Sequence, residues 1–334
     1  MLDARRVADD VIEATVVLSF TDLGPRIRSR LFHWEDLDRI DLTGRVVAIT
    51  GASSGLGLAA ASRLASMGAA LRLLIRDEAK ASRAREAILR RAPDAEVATY
   101  GVDLSDLAAV RRTVAEMTGR ERRLDALVNN AGALLGERRT SAQGHEMTLA
   151  TMVLGPFALT NGLLPLLERT AAEAGVARVV NVASGGMYLQ RLHLDDLQME
   201  HEPYRGSLAY ARAKRALVTL TGEWARRLRD RRVIVNAMHP GWADTPGVVA
   251  SLPTFHRLVG PRLRSPDEGA DTIVWLAASD EASRATGRFW LDRRTRPVDR
   301  LPWTRADEAD ARRLWEACER LTQRRGRPRG GRRA

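Results

Sequence analysis

Seven short apolar runs mark the chain from residue 46 onward: VVAIT (46–50), ALRLLI (70–75), EVATY (96–100), LDALVNN (124–130), ARVVNVAS (177–184), RVIVNAM (232–238) and GRFWLD (287–292). Each is too short for a core helix and mostly lacks the polar alternation of a strand with one wet face, so each predicts a strand buried on both sides. Between the runs apolar residues recur at helical spacing, as in LAAASRLASMG (58–68). Strand and helix in alternation predict an α/β fold: a single doubly wound domain with a mainly parallel sheet of about seven strands. The domain is expected over 42–292, after an N-terminal extension (1–41) and before a C-terminal extension (293–323) with a helix over 306–321. No repeat of solenoid length interrupts the pattern.

Composition narrows the function classes. The 334 residues are 45% hydrophobic, enough for one large core. Cys318 is the single cysteine, so an internal disulfide is excluded, and no cysteine cluster or His-x-x-x-His pair points to a metal. A metal-free site in a reducing compartment is expected. The formal charge of +11 raises the question of nucleic acid, but six arginines lie in the final RRGRPRGGRRA (324–334), leaving +5 elsewhere. That end reads as a disordered, solubilising, Arg-rich tail, and no specific nucleic-acid partner is expected.

No apolar run approaches the ~20 residues of a spanning helix, and MLDARRVADDVIE lacks the apolar stretch of a secretory signal. A cytoplasmic protein is expected. Peripheral membrane contact stays open, because VIEATVVLSFTDLGPRIRSRLFHW (11–34) mixes apolar residues with Arg26, Arg28 and Arg30 as a surface-seeking amphipathic segment does. The competing reading packs this segment on the domain or on a second copy.

The first run leads straight into GASSGLG (51–57) and then into a helical pattern. Such a turn lets backbone amides and a helix N-terminus approach a pyrophosphate, and Gly51, Gly55 and Gly57 lack side chains that would block it. Farther on, Tyr210 and Lys214 in SLAYARAKRAL (207–217) lie four residues apart, on one face of a helix. The series TGASSGLG (50–57), NNAG (129–132), Ser184 ending the fifth run, Tyr210-x-x-x-Lys214 and the Pro240–Gly241 of HPGWADT (239–245) resembles, in order, the short-chain dehydrogenase/reductase family. More narrowly, SGGM, DDLQ, HPGWADTPGV and GRFWLDRR resemble the branch around dehydrogenase/reductase member twelve and the retinol-dehydrogenase-like proteins.

That resemblance implies a Rossmann-type domain and an oxidoreductase passing hydride between NADP(H) or NAD(H) and an alcohol/carbonyl pair, on an apolar substrate. Tyr210 would give a proton to the carbonyl oxygen or take one from the alcohol. Lys214 would hold the nicotinamide ribose and, as an ammonium one turn away, lower the phenol pKa from about 10. Ser184 would fix the substrate oxygen. Cofactor contacts would fall on Gly51, Ser53, Ser54, Gly55, Leu56, Gly57, Arg76, Asp103, Leu104, Asn130, Ala131, Gly132, Tyr210, Lys214, Pro240, Gly241 and Thr245. A homo-oligomer is also implied.

The loop between Ser184 and Tyr210 is longer than the family's usual one and resembles the extended loop of the retinol-dehydrogenase-like branch. It must run beside the substrate, so Met187, Tyr188 and Leu189 are candidate pocket lining, or else packing under the loop. Met152 stands where many relatives carry a helix asparagine that supports a water chain behind the lysine. A thioether cannot make those hydrogen bonds, which leaves the relay to the main-chain carbonyl.

After the second run, Ile75 stands where NAD-specific relatives place a carboxylate, and Arg76 follows. A guanidinium grips a 2′-phosphate, so NADP(H) is expected to be preferred, with Asp77 as the residue that would oppose it. His239 is expected to shape its loop; His193, His201 and Asp195–Asp196 to be solvated; Trp290, Trp303 and Trp315 to pack the C-terminal extension. Two other readings stay open: a cofactor-binding scaffold or redox sensor with negligible turnover, and nucleic-acid binding through the tail.

Overall fold

The structure, a computed structural model, describes residues 4–245, 256–257 and 259–323; the Arg-rich tail lies outside them. All seven expected runs form strands: β1 (Val46–Thr50), β2 (Ala70–Leu74), β3 (Val97–Tyr100), β4 (Ala126–Asn129), β5 (Ala177–Val182), β6 (Val233–Met238) and β7 (Phe289–Leu291). An eighth, β8 (Arg294–Arg296), pairs antiparallel with β7 past the expected boundary at 292, and the other pairings are parallel. The order is β3-β2-β1-β4-β5-β6-β7-β8, so the chain reverses its direction of travel between β1 and β4.

Every residue of β1, β4 and β5 is buried, as runs without polar alternation require. Val46 and Ala48 point into one apolar layer and Val47 and Ile49 into the other, because successive side chains of a strand face opposite sides. One layer is filled from α6 (Leu107–Arg120), α8 (Gly155–Ala174), α9 (Gly206–Arg227) and α11 (Glu308–Gln323); the other from α4 (Gly55–Ser66), α5 (Glu78–Arg91) and α10 (Pro266–Ala278). Trp315 of α11 meets Phe157 edge-on at 4.8 Å and Trp224 at 5.8 Å, the packing expected of it. Trp290 instead packs on Trp275 at 5.0 Å in the opposite layer, and Trp303 is exposed.

A short helix α7 (Met147–Leu149) runs through a π-helical turn, Ala150–Leu154, into α8. The joined helix, Met147–Ala174, has an apolar window of mean hydropathy 1.5, long enough to cross a bilayer, which corrects the expectation from unbroken runs. Threonines, glycines, an asparagine and the prolines Pro156 and Pro165 hide that window from a search for continuous apolar residues. Since 67% of it is buried inside the protein, it serves as a core helix.

The extension forms α1 (Ala4–Ala14), α2 (Val16–Phe20) and α3 (Leu23–Leu31). Arg28 is not on a membrane-seeking polar face: it is fully buried, donating to Asp9 at 2.7 Å, Glu13 at 2.8 Å and Asp292 at 2.7 Å. Arg296 of β8 meets Asp9 with two bonds of 2.9 Å. A buried guanidinium is tolerated only when paired in this way, so the charges staple the extension to the β7–β8 hairpin. The outer face leaves Val7, Val11, Val16, Val17, Leu18 and Ile27 exposed.

Candidate active site

The carboxyl ends of the parallel strands open onto a cavity of about 660 Å³. It lies across the reversal between β1 and β4, where doubly wound sheets leave a crevice. All the residues expected to contact the cofactor line it, from Gly51 to Thr245, and so does Ser184. Of its charged lining residues, all but Lys214, namely Arg76, Asp77, Lys80 and Asp103, follow β2 and β3, on one side of β1. Ser184, Tyr210 and Trp242 follow β5 and β6 or sit on α9, on the other side.

The glycine turn is held by the strand beside it. Gly51 has φ 68°, and a Cβ there would lie 2.8 Å from Ala131 Cα, so only glycine fits. Thr50 Oγ1 accepts from the main-chain N of Asn130 at 2.9 Å and of Ala131 at 3.0 Å, and Asn130 Nδ2 donates to Thr50 O at 3.0 Å. The NNAG segment therefore locks the turn that begins α4. Beneath it Asn129 donates to Asn181 at 2.8 Å and Asn181 to Thr221 at 2.9 Å, a buried amide chain that joins β4, β5 and α9.

At the charged end Arg76 is largely exposed and donates to Asp103 Oδ2 at 3.1 Å. Burial pushes the Asp103 carboxyl up, but hydrogen bonds from Ser105 and Arg76 hold it below its usual range. Asp77 is the N-cap of α5, accepting from Lys80 N at 2.9 Å. Its carboxylate is thus engaged by its own helix. Lys80, missed in the sequence, lines the cavity from the first turn of α5, four residues past Arg76.

At the other end the three hydroxyl and amine groups converge. Ser184 lies two residues past β5, at the cap of the turn Gly185–Leu189, and Tyr210 and Lys214 lie on one face of α9, with Lys214 Nζ 5.5 Å from the Tyr210 ring centroid. Lys214 is buried and donates to Val182 O at 2.7 Å. Burial pushes its pKa down to about 8. Burial also pushes the Tyr210 phenol up, opposed by a hydrogen bond with Ser184, so the lowering expected from the lysine is reversed in the free protein. Met152 is fully buried beside them: a Cβ on Gly132 would sit 3.1 Å from Met152 Sδ and 3.6 Å from Lys214 Nζ.

Met187, Tyr188 and Leu189 do not line the cavity. Met187 and Tyr188 are buried in a separate cluster with Phe20, Phe289 and Leu291, and Leu189 points to solvent, because the turn Gly185–Leu189 folds back under α9. The substrate end is lined instead by Ala133, Leu134, Thr151, Gly186, Ser207, Ala211, Trp242 and Ala243. Several of these lay in or directly beside the quoted motifs: Ala133 after NNAG, Gly186 within SGGM, Ser207 and Ala211 within SLAYARAKRAL, and Trp242 after Pro240–Gly241. His239 is buried and accepts from Gly241 N at 3.3 Å, the loop-shaping role expected.

A family model described as short chain dehydrogenase matches residues 45–254. The chain belongs to this family, and it is an NAD(P)-dependent oxidoreductase acting on alcohol or carbonyl groups. It is 39% identical over 308 residues to human (Homo sapiens) dehydrogenase/reductase SDR family member 12, covering 91% of this chain and 94% of that one. Human retinol dehydrogenase 14 is 36% identical over 297 residues, covering 83% and 85%. Among solved structures, 3-ketoacyl-(acyl-carrier-protein) reductase from Brucella melitensis complexed with NADH superposes with a TM-score of 0.59 at 28% identity, over 75% of this chain and 96% of that one. The cavity fits such a dinucleotide: a helix N-terminus behind a glycine turn, a guanidinium and an ammonium at one end, and the Ser184, Tyr210 and Lys214 groups at the other.

Proposed function

We propose that the chain reduces an uncharged, apolar carbonyl, or oxidises the matching alcohol, with NADP(H) preferred and Tyr210 exchanging the proton. The observation that carries this is the convergence of the Ser184 and Tyr210 hydroxyls with the Lys214 amine at one end of the cavity. When bound, NADPH supplies the hydride that reduces the carbonyl carbon. Ser184 holds the carbonyl oxygen, and Tyr210 donates its phenolic proton to it. The charged fraction of Lys214 faces the phenolate so formed and stabilises it. A raised phenol pKa keeps that proton in place until the oxygen arrives. Apart from Lys214, the substrate end carries no charged side chain among the described lining residues, which favours an uncharged substrate.

Arg76 and Lys80, with Asp77 turned into the α5 cap, support the choice of NADP(H), since a guanidinium and an ammonium can both meet a 2′-phosphate. The test is Tyr210→Phe: turnover of an accepted carbonyl should fall by about 10²-fold or more with NADPH affinity nearly unchanged. Near-wild-type turnover would sink the mechanism. A weak or idle enzyme is the second reading, favoured by Met152 standing beside Lys214 with a side chain that cannot carry water. Stoichiometric NADPH binding with no turnover on a broad carbonyl panel would select it.

We also propose that the outer face of α1–α3, with Val11, Val16 and Val17 exposed, rests on a membrane surface while the inner face stays stapled to the domain.

A further inference from the structure

Two loops that bear on the substrate end, one through Trp242 after the cofactor-side Gly241 and the other through Ser184 with Gly185 behind it, meet on the same object, the N-terminal extension. Gly241 has φ 73°, and a Cβ there would lie 2.4 Å from Arg264 Cζ and 2.7 Å from Phe20 O. Its main chain therefore lies directly on the Arg264 guanidinium. Arg264 is buried and donates Nε to Phe20 O and Thr21 O, both at 3.1 Å, and Nη2 to Ser19 O at 2.6 Å. Asp292 takes two more bonds from it, at 2.6 and 3.0 Å. The Arg264 main chain is tied to the same wall, its N donating to Trp242 O at 2.8 Å and its O accepting from Asp244 N at 2.8 Å.

Phe20 closes the arrangement. Its carbonyl accepts from Trp242 N at 2.7 Å. Its ring lies 5.7 Å from that of Trp242 and 4.6 Å from that of His239, and a Cβ on Gly185 would come within 2.5 Å of it. Asp292 and its neighbour Arg293 form the two-residue β7–β8 turn with φ 52° and 54°. Left-handed backbone at two residues with a Cβ persists only where the surroundings over-determine it, and here Arg28 and Arg264 both grip the Asp292 carboxylate.

We propose that the N-terminal extension is a working part of the active-site wall: Arg264 and Phe20 are positioning residues that set Gly241–Trp242 and Ser184–Gly185 in register at the substrate end. This rests on the reading of the cavity as an oxidoreductase site. Phe20 and Arg264 do not line the cavity, and the charged end of it is built by α4, β2 and β3 without them. Loosening the clamp therefore weakens substrate positioning and leaves the adenosine end intact.

The experiment uses the full chain with Phe20→Ala, Phe20→Leu and Arg264→Lys, a medium-chain aliphatic aldehyde as substrate, NADPH titrations and thermal melts. Phe20→Ala should lower kcat/KM for the aldehyde about tenfold while the NADPH Kd stays within about twofold, since a displacement near 1 Å at a reacting site costs this order of rate or more. Phe20→Leu should restore most of the loss, and Arg264→Lys, which keeps the charge but loses the flat fork, should behave like Phe20→Ala. Unchanged kcat/KM in folded Phe20→Ala, or an NADPH affinity that falls in step with it, would overturn the proposal. A 19F-tryptophan spectrum reads the clamp directly, with the Trp242 resonance assigned by Trp242→Phe. It should shift in Phe20→Ala, and an unmoved resonance would count against the clamp. If the wild type reduces neither this aldehyde nor any member of a broad carbonyl panel, the proposed turnover fails, and the Trp242 resonance alone decides the clamp.

Discussion

Lys214→Met should make the free protein more stable while abolishing its activity. Lys214 is buried, and its pKa falls from 10.5 to about 8. At 1.36 kcal/mol per unit, keeping the ammonium charged inside the fold costs about 3 kcal/mol. The sign follows from proton counting. Between pH about 8 and 10.5 the unfolded chain holds a proton that the folded chain has released, so stability rises with pH across that window, and the penalty is fully present below it. Methionine keeps the stem, removes the charge and loses the bond from Nζ to Val182 O, worth about 1 kcal/mol, leaving a net gain of about 2 kcal/mol. A chain of 334 residues unfolds with an entropy of about 0.7 kcal/mol/K, so the gain corresponds to a Tm about 3 °C higher near neutral pH. Calorimetry of both proteins at about pH 6.5 and about pH 10 tests it, because the gap should vanish or reverse where the wild-type lysine is neutral. A variant less stable at the lower pH, or a gap independent of pH, would refute the reasoning.

Other expectations can be checked separately. Arg76→Ala should lower the NADPH to NADH ratio of kcat/KM about tenfold, the loss of one charge-assisted pair; a wild type that prefers NADH would reverse the assignment. Met152→Asn should keep the fold and change the rate or its pH profile, read in a kcat/KM titration, and identical profiles would mean that Met152 lies off the proton path. Val11→Glu with Val17→Glu should reduce flotation with anionic vesicles while leaving the melt unchanged, since both side chains are exposed. Equal flotation would remove the membrane contact.

The strands were legible because burial on both faces writes itself into the sequence as runs without polar alternation. β8 was not: Arg294, Thr295 and Arg296 form a charged antiparallel edge, and its turn uses Asp292 and Arg293 where hairpin turns of this kind usually show glycine or asparagine. The ends of the dinucleotide cavity were legible from glycine spacing and from Arg76. The lining of the substrate end was not, because Met187 and Tyr188 are set by contacts with Phe20 and Phe289, partners more than a hundred residues away in either direction. Arg28 shows the same limit. In sequence it is one of three basic residues in an amphipathic stretch, and its burial depends on Asp9, Glu13 and Asp292 arriving together.

The Tyr210–Lys214 pair shows why adjacency alone does not fix protonation. Four-residue spacing on a helix correctly implies that the two groups are neighbours, and an ammonium beside a phenol lowers the phenol pKa. In the folded chain Lys214 is buried and Tyr210 partly so, and the loss of water disfavours each charged form: it raises the phenol and lowers the amine. Ser184 supplies the hydrogen bond that opposes the rise at Tyr210, while Lys214 Nζ gives one of its three hydrogens to Val182 O. The free site therefore keeps the proton on the phenol oxygen that must donate it, beside a lysine that at a pKa of about 8 is still mostly charged near neutral pH. The lysine gains its full electrostatic leverage only as negative charge develops on Tyr210, which places its contribution in the step of proton transfer and not in the resting enzyme.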